Sequence, residues 1–298
     1  MTNVLLTALE AGLLYAPVAL ALFLSYSILD IADLTTDGSF VLGAAVSSIV
    51  CLTGFPILAI PIAMIACALA GFITAFLQTK CGVPSILAGI ITNIGLYTVN
   101  IIVMGSSNKS IFKVDTIFKK IDNIIPHGTL ILLFIVLMLL AVLLTFFLST
   151  RLGLSIRATG DNIDMIKASS VNPAFTITVG LCISNAMTGF SGALVAQYNK
   201  SADVNMGTGM VVLGLAALII GQTLFSKTSI KISVLGVIIG SIVYRLMYAL
   251  ALLANIPAEY MKLVSAIIVG ISIAMPTIKS KITFEKMKRK SIAERKRV

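Results

Sequence analysis

Residues 129–149 read TLILLFIVLMLLAVLLTFFLS, twenty-one positions without a charge and with only three hydroxyl side chains. A helix rises 1.5 Å per residue, so a run of about 20 apolar residues crosses the ~30 Å hydrocarbon core of a bilayer. In water the same run would have to be hidden on every side. It reads as a membrane span, and similar stretches lie on both sides of it. Uncharged runs cover 11–29, 38–79, 81–108, 123–150, 168–199, 204–226 and 263–278, and 232–258 is broken only by Arg245. Over all 298 residues, 58% are apolar, 11% are charged, and the mean hydropathy is +1.05. A soluble domain carries about a quarter charged residues. This chain lacks the polar surface to cover its own core in water, and its fold class is all-α, a polytopic membrane protein.

The few charges give the orientation. The segment 279–298 holds nine of the 22 Lys and Arg residues, against Glu285 and Glu294. Basic residues after the last span collect on the cytoplasmic side, so the C-terminus is expected there. Such a tail does not call for a nucleic-acid partner in so apolar a chain. Counting back gives about nine spans, near 5–28, 38–54, 57–77, 83–105, 129–149, 174–198, 208–225, 232–254 and 261–277. The N-terminus and the loop 106–128 then lie outside, and 150–173 lies inside. Lys109, Lys113, Lys119 and Lys120 in the outer loop pull mildly against this assignment, but the tail outweighs them. Met1-Thr2-Asn3 offers no positive n-region, so the first apolar stretch reads as a retained span. The chain divides into a transmembrane domain, 1–278, and a basic cytoplasmic tail, 279–298.

Three features could carry function. Asp30, Asp33 and Asp37 stand between two apolar runs, within a span interrupted near 30–38. Thr35-Thr36-Asp37-Gly38 reads as a helix break with Asp37 as N-cap of the following helix. These carboxylates are either caps in a cytoplasmic turn or part of an interrupted element along a translocation path, which is tolerated at membrane depth when buried or water-lined. In the segment 150–173, Gly160 breaks the chain and Asp161 or Asn162 can cap a short helix that Asn172-Pro173 ends. Ile163, Met165 and Ile166 leave apolar side chains outside the bilayer, suited to a cytoplasmic subunit or to the membrane surface. Arg245 lies near mid-span and needs a buried partner, with an Asp of 30–37 or Gln222 as candidates. Asn93, Asn100 and Asn185 serve either the path or helix packing.

Gly236 and Gly240 form a GxxxG pair, and Gly180, Ser184, Gly189, Gly192 and Ala196 line one span, as close helix packing requires. His127 is the one histidine and has no second ligand nearby, and the four cysteines show no metal or disulfide spacing. A GxxxxGK[ST] phosphate loop is absent from the sequence, as are HExxH, CxxC and GxSxG, so no enzymatic role is expected and no cofactor is assigned to this chain.

Several motifs resemble those of integral-membrane permeases of bacterial ABC importers, in the group of branched-chain amino acid and ribose permeases. They are Ile28 through Phe40 with Leu42-Gly43-Ala44-Ala45, Val83-Pro84-Ser85 to Ile90, Arg157 to Asn162, Ser184-Asn185-Ala186, Ser191 to Tyr198, Ala202-Asp203-Val204, Ile219-Ile220-Gly221 and Tyr244-Arg245. The resemblance covers roughly 11–276 and is nearest to permeases paired with tryptophan/tyrosine-type binding proteins.

The resemblance implies inward transport of a small solute, an amino acid with an aromatic one among the candidates, across the bacterial cell membrane. ATP would be bound and hydrolysed on cytoplasmic ABC ATPase subunits. An extracellular or periplasmic substrate-binding protein would deliver solute, and a second permease copy would complete a homodimer. The segment 160–172 would be the ATPase coupling helix, with Gly160, Asp161, Asn162, Ile163, Ile166 and Ala168 as its coupling residues, while Asp30, Asp33, Asp37, Asn93, Gln222 and Arg245 are the path candidates. Three positions depart from the family pattern: Ser170 for Gly, Gln222 for Glu, and Ser27 for Arg. An ion-gradient-driven secondary transporter or channel, with Asp30, Asp33, Asp37 and Arg245 as the coupling set, is the alternative from another class.

The topology is checked with single cysteines in a cysteine-free background. A cysteine at 298 should be labelled by an impermeant maleimide only after the cells are opened, and one at Asn108 in intact cells. The reverse pattern would invert the topology.

Overall fold

The computed structural model describes residues 2–122, 128–169, 171–225 and 229–253, with scattered positions between 260 and 274. His127, Ser170, the tail 279–298 and most of the expected span 261–277 lie outside the described residues. The first helix, α1 (Thr2–Leu22), runs on into a π-helical turn, Phe23–Ile28. It is followed by α2 (Thr36–Leu52), α3 (Pro56–Thr79), α4 (Ser85–Met104), β1 (Asn108–Ser110), α5 (Ile117–Asp122) and α6 (Gly128–Ser149). Next come α7 (Arg151–Asp161), α8 (Ile163–Ala168), α9 (Pro173–Asn199) and β2 (Ser201–Asp203). A 3₁₀ turn, Val204–Gly207, then leads into α10 (Met210–Leu224) and α11 (Ile230–Leu253).

The all-α reading holds. Seven helices among the described residues are long and apolar enough to cross a bilayer. The expected span 38–54 is the 17-residue α2, shorter than the others. Since 261–277 falls largely outside the described residues, the count of nine is not shown. In the loop expected outside, the described residues 106–122 carry a short strand and a short helix. Its β1 pairs antiparallel with β2, Lys109 opposite Ala202, and Ile111 is buried against Cys51 and Ala59. There Lys119 donates to Asp115 at 2.6 Å, which holds the Asp115 carboxyl below its ordinary range.

Burial ranks the helices. Within its most apolar window α9 is 78% buried, whereas α6 is only 22% buried. The centre is therefore α9, wrapped by α1, α2 and α3. The faces of α3, α4 and α6 point outward with side chains such as Ile65, Leu69, Ile94, Ile102, Val142 and Phe146, as contact with lipid or another apolar surface requires.

Small residues bring the inner backbones together. A Cβ on Gly43 would collide with the Gly189 backbone, one on Gly192 with the Phe40 carbonyl, and one on Gly71 with the Leu181 carbonyl. Lipid offers no hydrophobic drive between helices, so van der Waals contact at close approach holds them. The pair Gly236 and Gly240 does the same on α11, lying against Gly221 and Ala217 of α10, so its role is packing within the chain.

This contact pattern is tested by adding one methyl group. Gly43→Ala should lower the thermal stability of the solubilised chain by roughly 1–3 kcal/mol. Gly95→Ala, whose Cβ would meet nothing within 4 Å, should be neutral or slightly stabilising. Equal effects of the two would refute the close approach of α2 and α9.

Candidate functional site

After the π-turn the chain leaves helical geometry at Leu29 and does not resume it until Thr36. Asp30 is exposed and takes a left-handed backbone, φ 55°, so the three carboxylates do not continue one helical face. Asp33 turns inward and is 1% exposed. Asn185 Nδ2 donates to Asp33 Oδ2 at 2.7 Å, and Thr35 N donates to Oδ1 at 2.9 Å. Ser39 Oγ donates to Asn185 Oδ1 at 2.7 Å, and Thr35 Oγ1 lies 2.8 Å from Thr74 Oγ1 of α3. This polar knot ties the break to both α9 and α3. Since Asn185 lies near the middle of the 27-residue α9, the segment around Asp33 folds back to mid-depth. It is a re-entrant break rather than a turn at the bundle's end.

Asp37 corrects an expectation. It does not cap α2, whose N-cap position is Thr35 with no side-chain bond. Its carboxylate instead accepts from Gly209 N at 3.1 Å and Val211 N at 2.9 Å, at the start of α10. The first amides of a helix have no partner within the helix and carry partial positive charge, so a carboxylate from a neighbouring helix satisfies them. Gly207 packs on the Asp37 carbonyl, and Gly209 at φ 86° makes the turn into α10. Two helices therefore begin side by side at depth.

Beside these starts lies a cavity of about 470 Å³, lined by Asp37, Gly38, Asn93, Tyr97, Asn100 and Asn205 among others. Asn100 Nδ2 donates to the Gly38 carbonyl at 3.2 Å. Of the sequence candidates, Asp37 and Asn93 meet here. Asp30, Asp33, Gln222 and Arg245 do not line it.

Gln222 lies elsewhere, in a cavity of about 340 Å³ near α7 that also holds Ser27, Arg157 and Asp161. Gln222 Nε2 donates to Ser27 Oγ at 2.8 Å. Two of the noted departures are thus neighbours, a neutral hydrogen bond standing where the resembling family would place Glu and Arg. Arg245 is a second correction, since it pairs with neither an Asp nor Gln222. Its guanidinium lies 3.8 Å from the Tyr15 ring centroid and 5.7 Å from that of Tyr248. The negative face of an aromatic ring attracts a cation placed over it, and Tyr15 is itself stacked on Phe40. Sequence reasoning passed over Glu10, which accepts from Tyr198 OH at 2.7 Å. A lone carboxylate within the first apolar helix was the available signal.

At the bundle end opposite the β1–β2 strand pair, Asn162 Oδ1 accepts from Asp164 N and Met165 N, both at 3.0 Å, capping α8 as expected. Gly160 is not the break. It lies inside α7, and its missing Cβ lets α7 sit on the Ile28 carbonyl, while the chain turns at Asn162. Asn172-Pro173 starts α9 rather than closing α8, with Asn172 Oδ1 accepting from Ala174 N at 3.0 Å. The apolar stripe is also split. Ile166 is 5% exposed and anchors α8 to its own chain, while Ile163 and Met165 are 46% and 63% exposed. Asp161 and Ala168 are exposed as well.

No group of His, Cys, Asp and Glu among the described residues is placed to hold a metal ion. Seven helices of membrane-spanning length and apolarity among the described residues, with a cavity that carries polar side chains beside them, make a multi-pass membrane protein. The chain belongs to the family of branched-chain amino acid transport system permease components, whose pattern matches residues 4–273. It is thus a permease of the ABC type. It is 33% identical over 266 residues to a tyrosine transport system permease protein of Clostridioides difficile (strain R20291), covering 89% of this chain and 88% of the relative. It is 34% identical over 276 residues to an uncharacterized protein of Rickettsia prowazekii (strain Madrid E), covering 91% and 97%. No solved structure matches the chain.

The knot is tested by Asn185→Leu, which strips the buried Asp33 carboxylate and the Ser39 hydroxyl of a partner. The expected loss of stability in chemical unfolding is about 1–3 kcal/mol or more. Asp30→Asn, at an exposed position outside the knot, should stay within about 0.5 kcal/mol. An unchanged Asn185→Leu protein would refute the assignment.

Proposed function

We propose that this permease imports an amino acid, of the tyrosine kind, across a bacterial cell membrane with its C-terminus in the cytoplasm. Energy comes from ATP hydrolysed on separate ABC ATPase subunits, solute comes from an extracellular or periplasmic binding protein, and a second copy of the chain completes the pathway. The similarity to a tyrosine permease supports the solute class. The lack of a phosphate loop in the sequence is consistent with an ATP site on another polypeptide.

The observation that carries this reading is α8. Its Ile163 and Met165 are exposed while Ile166 fixes the helix to the bundle. Apolar side chains presented beyond the spans on an anchored helix suit a cleft in a partner subunit. Asn162, Ile163 and Met165 make the contact, and Ile166 positions it. Displacement of α8 by a closing ATPase pair reaches α7 through their shared turn, and then the π-turn through Gly160 on the Ile28 carbonyl. That turn leads into the Asp33 break, so movement at the ATPase tilts the start of α2. The spans then open to one side of the membrane or the other.

The test is Met165→Asp combined with Ile163→Asp. ATP-dependent uptake of L-tyrosine into vesicles holding the full transporter should fall by tenfold or more, about 1.4 kcal/mol of coupling, with membrane insertion unchanged. Normal uptake by this variant would refute the docking role. Uptake that survives removal of the ATPase but collapses with a protonophore would refute ATP drive altogether.

A further inference from the structure

The cavity at the starts of α2 and α10 has an uneven chemistry. The Asp37 carboxylate accepts the backbone N–H groups of Val211 and Gly209, and a carboxylate offers about four acceptor positions. Asn100 is 1% exposed, and its Oδ1 accepts no hydrogen bond among the described residues although its Nδ2 is used. Buried polar atoms are almost always paired, so an orphaned acceptor marks a place where a donor belongs. No Lys, Arg or His lines the cavity, and Asp37 forms no ion pair among the described residues. What would satisfy these atoms is a positively charged group with several N–H bonds.

We propose that this cavity is a subsite for the ammonium end of the solute, with the Asp37 carboxylate and Asn100 Oδ1 as its acceptors. The inference rests on the amino-acid import proposed above and places recognition of the solute inside the permease itself. Tyr97 on the cavity wall offers a ring face to the cation or to an aromatic side chain. The volume of about 470 Å³ falls within the range of small-molecule sites. A carboxylic acid of the same size without the amine brings a second negative charge beside the Asp37 carboxylate and is disfavoured.

The chain contains no tryptophan, so Tyr97→Trp places a single reporter on the cavity wall. With the full-length permease in nanodiscs, phenethylamine and L-phenylalanine should each change its fluorescence saturably. The amine-free 3-phenylpropionate should bind roughly tenfold or more weakly, the loss expected for a charge-assisted hydrogen bond. Asn100→Ala and, separately, Asp37→Asn in the same background should each weaken phenethylamine by a similar factor. Because Asp37 also holds α10, the comparison of ligands on the otherwise intact protein decides the matter if that variant misfolds. An equal response to 3-phenylpropionate, or no saturable response to either amine, overturns the subsite. If ATP-driven uptake stands while the amines give no response, the subsite falls and the import reading survives. If uptake fails while amine selectivity holds, the subsite stands and the import reading falls.

Discussion

A carboxylate at mid-depth is tolerable only if its environment supplies donors, and Asp33 receives them from Asn185 and from the backbone of Thr35. Much of the molecule follows from that constraint. Without the knot, the run from α1 through α2 would have no reason to stop at Leu29 and restart at Thr36. Irregular backbone in the hydrocarbon region survives only where protein covers it. Here α9 and α3 cover it, through Asn185 and Thr74. The restart of α2 in turn sets Asp37 against α10, and that contact brings the 3₁₀ turn after β2 back into the bundle.

Close packing makes the knot possible. With Gly43 on Gly189 and Gly192 on Phe40, α2 and α9 approach near enough for Ser39 to reach the Asn185 side chain, 146 residues away in sequence. The same economy of side-chain volume closes α10 on α11 through Gly221, Gly236 and Gly240. Small residues here set distances between backbones, and the polar groups set register. Outward-facing positions such as Ile65 and Leu69 on α3 and Val142 and Phe146 on α6 are free of both demands and stay apolar.

The spans were legible because a bilayer imposes a length and a composition that charge-free runs reveal at once. The Asn162 cap was legible because capping is local, reaching only two and three residues ahead. Asp37 was misread for the opposite reason. Local chemistry offered it the nearest helix, α2, whereas its partners Gly209 and Val211 lie 172 and 174 residues on. Arg245 was expected to find a carboxylate because charge is what a sequence displays, and the ring face of Tyr15 does not show there. Nor could the pattern Ile163, Met165, Ile166 say which side chain turns back to the bundle. That depends on how α7 leans on the π-turn. Ser27 and Gln222 each looked like an isolated departure, and only their contact makes them one change.

In the proposed role the chain is the membrane half of a machine whose motor is a separate polypeptide docked at α8. The most direct measurement of that role is gentle solubilisation of the protein from its native membrane, capture of the full chain, and mass spectrometry of what stays bound. The account predicts a stoichiometric ATPase bearing a phosphate loop, crosslinked to the permease through a cysteine placed at Met165. A chain that elutes without any ATPase, even after crosslinking in the intact membrane, would contradict it.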